Sequence, residues 1–334
     1  MILREHDKRR FGHYEANGFL HITDWHADDT GPSTRVDDYV KAVTGKMRSA
    51  IGYANANKLI IILGGDNLGR PVIANEAFKG QIMRLFNESL YPVYGIPGNH
   101  EMSAKKLSER DSLWLMSEFT RTDILVDAGI LDVMTLTDDS GQTTVVGLGG
   151  SPYGQSIPSA VDWGVDVDMG VWLTHHNLPF TSHYKKQETG AFKHIAGVDC
   201  VLNGHLHHAA PPVRSGETTY YNNGSITRTK SNERDRLPTI TVVSLDGVVE
   251  AMPLDYNGAD TVFSSGAGRT SAVDVNVRDT SDMRNRFVNF LSSDDHDQET
   301  VGNLLDDAMK GGEITHDMRD WLEGIAREAA TRLN

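Results

Sequence analysis

Cysteine is nearly absent from this 334-residue chain. The single Cys200 sits in the apolar run VDCVLNG, so neither a disulfide framework nor a cysteine metal site is available, and a small buried hydrophobe is its expected role. Long hydrophobic runs are missing as well. No stretch approaches the roughly 18 apolar residues of a membrane span, and no membrane association is expected. The opening MILREHDKRR is polar and no apolar core follows it, which argues against a secretory signal and for a cytoplasmic location. Positive charge is in deficit: 32 Lys+Arg against 46 Asp+Glu leave a net charge of −14. That balance excludes a protein that coats nucleic acid or anionic membrane by bulk attraction. The deficit is uneven, because Tyr256 to Asn334 holds 8 Lys+Arg against 15 Asp+Glu. The rest is only moderately acidic and includes a basic stretch, Arg228, Lys230, Arg234 and Arg236.

The length suits one large α/β domain with an appendage. Five short apolar runs read as buried strands, too short for helices and bounded by glycine or polar residues: GFLHIT (18–23), KLIIILGG (58–65), YPVYGI (91–96), VDMGVWLT (167–174) and GVDCVLNG (197–204). Between the first three lie stretches of helical period. Val36, Val40, Val43, Met47 and Ile51 follow a candidate cap at Ser33 or Thr34, and Phe78, Ile82, Leu85 and Phe86 form the second stripe. Strand, helix, strand at this spacing predicts parallel βαβ units.

Each of the five runs ends in residues able to bind a metal. Asp24 and His26 follow the first, Asp66 the second, Asn99 and His100 the third, His175 and His176 the fourth, and His205 and His207 the fifth. In open α/β sheets, ligands gather outside the carboxyl ends of strands, so separate loops can converge there. A lone histidine beside an apolar run is usually structural. Five coincidences in one chain are not, since core packing has no use for imidazole or carboxylate at every strand terminus. Two or three Asp/Asn oxygens with four or five imidazoles, and no thiolate, exceed what one structural zinc takes. They suit two divalent ions, with Mn, Fe or Zn preferred over an oxygen-only Mg or Ca cage. Paired ions of this kind serve displacement at phosphorus, and phosphoester hydrolysis is the reaction class implied.

The ordered set D-W-H (24–26), G-D (65–66), G-N-H-E (98–101), H (175) and G-H-L-H (204–207) resembles the calcineurin-like metallophosphoesterase family over about residues 18 to 255. The resemblance implies an α/β four-layer sandwich, two central sheets flanked by helices, with a dimetal site at the strand ends. It also implies one ion on Asp24, His26 and His207, a second on Asn99, His175 and His205, and Asp66 bridging both and taking part in catalysis. His100 would contact the scissile phosphate and assist the leaving group, and Glu101 would orient its neighbours. Either His175 or His176 could be the ligand; His175 is favoured because the first of such pairs normally binds in this family. Asp28 and Asp29 read as loop carboxylates, His208 and His183 as solvated positions, and His21 as a structural residue inside its strand.

Family membership does not select the phosphoester. D-W-H, and the segment YYNNGSITRTKSNERDRLPTITVVSLDG (220–247) with its G-S-x-x-R, resemble the SbcD-type DNA repair exonuclease branch. There Arg228, Lys230, Arg234 and Arg236 would supply phosphate contacts, or else form a solvated hairpin loop; His176 is a further substrate-contact candidate. G-D-N-L-G-R (65–70) faintly resembles the serine/threonine phosphatase motif, but Gly69 stands where that branch has an acid and Pro71 replaces its glycine. HHNLP (175–179) resembles a stretch common in cyclic-nucleotide and other small phosphodiester hydrolases. The reading adopted is a manganese-dependent DNA nuclease.

Past Tyr256 the chain changes character. Residues 1–255 are expected to form the catalytic domain and 256–297 a small capping or linker region containing SSGAGRT (264–270). Residues 298–334 carry the apolar stripes Val301, Leu304, Leu305, Ala308, Met309 and Met318, Trp321, Leu322, Ile325, Ala329, Leu333. By the resemblance, this helical segment would bind the coiled coil of an SbcC-like ATPase, or else pack on its own domain; a homodimer is a further expectation.

Overall fold

The computed structural model describes residues 11–180 and 191–263. In chain order they form β1 (Phe11–Glu15), β2 (Gly18–Ile22), α1 (Tyr39–Ala56), β3 (Leu59–Leu63), α2 (Glu76–Asn87), β4 (Val93–Gly95), α3 (Ser112–Phe119), β5 (Thr122–Ile124), β6 (Gly129–Thr137) and β7 (Thr143–Ser151). Then follow β8 (Met169–Thr174), β9 (Cys200–Asn203), β10 (Ala210–Ser215), β11 (Thr218–Asn222), β12 (Thr239–Ser244), β13 (Val249–Pro253) and α4 (Ala259–Val262). The strands build two mixed sheets, one in the order β1-β6-β7-β8-β9-β11-β10 and one in the order β13-β12-β2-β3-β4-β5. The expected parallel units are present: β2, β3, β4 and β5 pair in parallel, as do β7, β8 and β9.

Burial on both sides explains why these strands read as continuous apolar runs. On β2 and β3, Leu20, Ile22, Ile61 and Leu63 face Val43, Met47, Ile82 and Phe86 of the helices. Their neighbours Phe19, Ile60 and Ile62 enter the layer between the sheets and meet Met134, Val146, Val171 and Leu202. Alternate side chains leave a strand on opposite faces, so one run feeds two cores. The sandwich is thus the expected one. Its helical cover is found on the six-stranded sheet; the outer face of the seven-stranded sheet is closed by Trp163, Trp172, Leu178, Ile195 and Tyr220, not by a helix among the described residues.

Helix α1 begins later than its apolar period suggests. Asp38 is the cap, its side chain accepting the Lys41 N–H at 3.0 Å, in place of Ser33 or Thr34. Val36 lies before the helix, where its N–H donates to the Val262 carbonyl. The same contact holds Val262 and Phe263 buried against this domain, beyond the expected boundary at 255. The chain divides into units Met1–Ser265 and Gly266–Asn334. The linker 264–270 and the tail stripes lie outside the described residues.

Candidate metal centre

The five strand ends do converge, and they come from both sheets. Asp24 and His26 follow β2, Asp66 follows β3, and Asn99 and His100 follow β4, all of the six-stranded sheet; His175 follows β8, and His205 and His207 follow β9, of the seven-stranded one. Three overlapping donor groups result, each with its donor atoms within 4.8 Å of one another: Asp24, His26 and His207; His26, Asp66 and His100; Asp66, His175 and His205.

The loops that present these groups are laced together through backbone. His26 N–H donates to the Asp66 carbonyl at 2.8 Å and Asp24 N–H to the Gly65 carbonyl at 3.0 Å. Trp25, the centre of D-W-H, turns inward: it is fully buried and its indole N–H donates to the Val43 carbonyl at 2.8 Å, while the Tyr39 hydroxyl donates to the His26 carbonyl at 2.7 Å. Helix α1 thereby anchors the loop that carries the candidate ligands Asp24 and His26. Five described residues other than glycine have left-handed backbone, and four of them are candidate ligands: Asp24 (φ 52°), His26 (50°), Asp66 (50°) and His205 (75°). Left-handed backbone costs a non-glycine residue about 1–2 kcal/mol, least for Asp and Asn, and such cost collects at functional sites.

Asp66 lies at the centre. Its Oδ2 is 3.2 Å from His175 Nε2 and 3.9 Å from both His26 Nε2 and His100 Nε2, and Oδ1 accepts the His100 N–H at 2.9 Å. Burial alone would raise this carboxyl, but the imidazoles, His175 foremost, hold it well below the usual carboxylate range. His175 responds in kind: burial would lower it, and the Asp66 charge raises it to about 9. Burial lowers His205 to about 3 and depresses His26, leaving both as neutral imidazoles, the form a metal needs.

The arrangement fits two ions. His175 Nδ1 donates to the Gly64 carbonyl at 2.7 Å, which leaves its buried Nε2, 3.2 Å from Asp66 Oδ2, as the nitrogen turned into the cluster. Without an ion the Asp66 charge favours a proton on that nitrogen; a metal bound there would take the proton's place. His26 Nε2 lies 3.0 Å from His207 Nε2, and His205 Nδ1 lies 3.0 Å from Asn99 Oδ1. Donors held about 2.1 Å from a shared ion at right angles would stand ~3.0 Å apart.

His176, the alternative ligand, points elsewhere: its Nε2 meets the Gln155 carbonyl at 2.7 Å. His100 is half exposed at the mouth, its Nδ1 3.1 Å from the Gly69 carbonyl. Glu101 is fully buried and accepts the N–H groups of Asp66, Asn67, Leu68 and Gly98. Asp28 and Asp29 both pair with Arg70, and His208 is exposed. His21 is buried in β2 and burial lowers it to about 3. His183 lies outside the described residues.

The basic stretch has a different environment from the one its composition suggests. Arg228 is 1% exposed, donating to the carbonyls of Arg234 and Asn257 at 2.6 Å each and lying over the Tyr256 ring. Arg236 donates to the carbonyls of Ser225 and Thr227, both at 2.5 Å. Lys230 is exposed. Two side chains at the site escaped the sequence. Tyr153 stands 5.4 Å from the His205 ring; Glu233 lies 2.5 Å from His207 Nδ1. No spacing signal marks either one, because their loops have no regular period.

Among solved structures, a 5'-nucleotidase precursor from Thermus thermophilus is similar over 72% of this chain and 54% of its own, at 14% identity and a TM-score of 0.42. A conserved uncharacterized protein and predicted phosphoesterase from Streptococcus pneumoniae aligns over 71% of this chain and 97% of its own, at 10% identity and a TM-score of 0.29. No curated protein matches the sequence significantly. The family model for calcineurin-like phosphoesterases matches residues 18–209, more than half of the chain and every one of the five strand ends. With its metal-type donors meeting at those ends, the chain belongs to the calcineurin-like phosphoesterase family.

Proposed function

We propose that this protein is a dimetal phosphodiesterase, and that its substrate is DNA, as in the SbcD-type nucleases. The observation that supports the hydrolase is the meeting of Asp24, His26, Asp66, Asn99, His175, His205 and His207 in one cluster with two buried carboxylates. The DNA assignment rests on the resemblance carried by D-W-H and G-S-x-x-R. Asp24, His26 and His207 would hold one ion, Asn99, His175 and His205 the other, and Asp66 both. Manganese is the proposed metal, with iron or zinc compatible with the same donors. Two such ions supply a nucleophile at neutral pH and neutralise charge on the phosphoryl group. Of the chain's own groups, His100, half exposed and 3.9 Å from Asp66 Oδ2, would donate to the phosphoryl or leaving oxygen. Glu101 fixes the backbone from which Asp66 and His100 project.

A second reading has its own support. The burial of Arg228 and Arg236 and the charge of −14 favour a small phosphodiester, such as a cyclic nucleotide, over a polyanion. A serine/threonine phosphatase is the weaker alternative. An SbcC-like ATPase partner engaged by residues 298–334, a homodimer and a cytoplasmic location belong to the nuclease reading. Among the described residues, no helix is long and apolar enough to cross a membrane.

The test is hydrolysis by metal-free protein reloaded with Mn²⁺, offered end-labelled duplex and single-stranded DNA, cyclic nucleotides and a phosphopeptide. Asp66→Ala is the control, expected to lose metal uptake and at least about 10³-fold in turnover. DNA cleavage absent from the control supports the nuclease. Turnover of small or peptide substrates alone overturns the DNA assignment, and normal turnover by Asp66→Ala overturns the dimetal reading.

A further inference from the structure

Between β11 and β12 the chain passes from the seven-stranded sheet to the six-stranded one. At the middle of this crossover is a single turn, Ser231–Glu233, whose last residue points inward. Glu233 is 3% exposed. Its Oε1 lies 2.5 Å from His207 Nδ1; its Oε2 accepts the N–H groups of Thr229 at 2.6 Å and Lys230 at 3.3 Å. The neighbouring arginines frame the turn. Arg236 grips the carbonyls of Ser225 and Thr227, Arg228 those of Arg234 and Asn257, and Arg35 that of Arg228 at 2.7 Å.

An ionised carboxylate can only accept, so the Nδ1 it faces must carry the proton. The lone pair of His207 is then confined to Nε2, which lies 3.6 Å from Asp24 Oδ1 and 3.0 Å from His26 Nε2. His175 reaches the same tautomer through a neutral carbonyl. A carboxylate does more, since it also makes the imidazole a stronger donor toward a cation. Burying a carboxylate in a surface turn is costly unless something uses its charge. Three arginines placed to brace the turn, and not to face solvent, indicate what the segment is for.

Resting on the reading of this cluster as a metal centre, we propose that Glu233 is the positioning residue of the first metal position. It fixes the tautomer and orientation of His207, and Arg228 and Arg236 of the basic stretch, with Arg35, frame the turn that holds Glu233 in place.

The experiment titrates metal-stripped full-length protein with Mn²⁺ by calorimetry, comparing wild type, Glu233→Gln, Glu233→Asp and Asp66→Ala. Unfolding of each metal-free protein is recorded alongside. Glu233→Gln is expected to weaken one of two sites by about 10–100-fold, to leave the other unchanged, and to unfold within a few degrees of wild type. Glu233→Asp, which keeps the charge, is expected to recover part of the loss. In Zn²⁺-loaded protein the His207 Nδ1 proton resonance, assigned by its loss in His207→Ala, is expected to move upfield in Glu233→Gln. Wild-type affinity at both sites in Glu233→Gln overturns the proposal. So does a loss of both sites together with metal-free stability that Glu233→Asp fails to restore, because that pattern marks a merely structural turn. Wild-type protein that takes up no metal overturns the metal centre itself, a result distinct from either.

Discussion

The carboxylate of Glu101 receives the backbone N–H of Asp66 at 3.0 Å and that of Gly98 at 2.6 Å, tying the ends of β3 and β4 to one side chain. Glu101 also accepts from Asn67 and Leu68. Glutamine has one acceptor oxygen where glutamate has two, and it would turn an NH₂ toward N–H donors. Glu101→Gln is expected to cost about 2–5 kcal/mol through unmet buried donors. Thermal unfolding reads this as a fall in Tm of roughly 5–15 °C, and metal analysis as reduced occupancy.

In the proposed mechanism His100 serves the chemistry and not the metal. Its side chain is half exposed and its ring packs edge-on against His26 at 4.9 Å, so removing it leaves no buried cavity. His100→Ala is expected to keep wild-type metal content and Tm while losing about 10²–10⁴-fold in kcat. Elemental analysis with steady-state kinetics checks both halves.

Stability should depend on the metal. Ligand present at 100 times its Kd stabilises by about 2.7 kcal/mol per site, roughly 5–10 °C in Tm for a domain of this size. Chelation is expected to lower Tm by that amount and Mn²⁺ to restore it. Asp66→Ala is expected to respond to neither treatment, as scanning calorimetry would show.

Lys46 carries a pH signature. It is buried, its ammonium donates to the Ile226 carbonyl at 2.9 Å, and burial, helped by Arg35, Arg228 and Arg236, lowers its pKa to about 7. The unfolded chain keeps the ordinary value near 10.5. Between those two values the unfolded state binds more protons, so stability rises with pH; below about 7 the full cost of burying the charge is present. Lys46→Met removes that contribution. The gain in unfolding free energy from about pH 6.5 to about pH 9.5 is expected to be smaller in the variant than in wild type, measured by urea titration.

The strand ends were legible because two signals coincide there. Runs such as LIIIL at Leu59–Leu63 are apolar throughout, being buried on both faces, and catalytic groups must begin where such a run stops. Amphipathic α2 was equally plain, its stripe Phe78, Ile82, Leu85 and Phe86 being buried as the period predicts. Less was readable where tertiary contacts decide. Val36 fits the stripe of α1 yet lies outside it, since Asp38 caps the helix and Val36 pairs with Val262 instead. Strand β1 begins at the edge of the polar opening and takes its identity from pairing with β6. Arg228 and Arg236 look like a phosphate surface in one dimension; in three, backbone carbonyls of the same crossover, and that of Asn257 29 residues on, absorb them. Glu233 is invisible for the same reason, 26 residues past the histidine it contacts.

Because its donors are drawn from both sheets, the proposed metal centre would also be a fastener. The core between the sheets resists separation through apolar contact, which is short-ranged but permits sliding; a pair of ions bound across the strand ends would forbid both. Pulled apart, the sandwich should yield at the far end first, with the catalytic edge acting as a hinge pin whose strength an experimenter could set by choosing the metal.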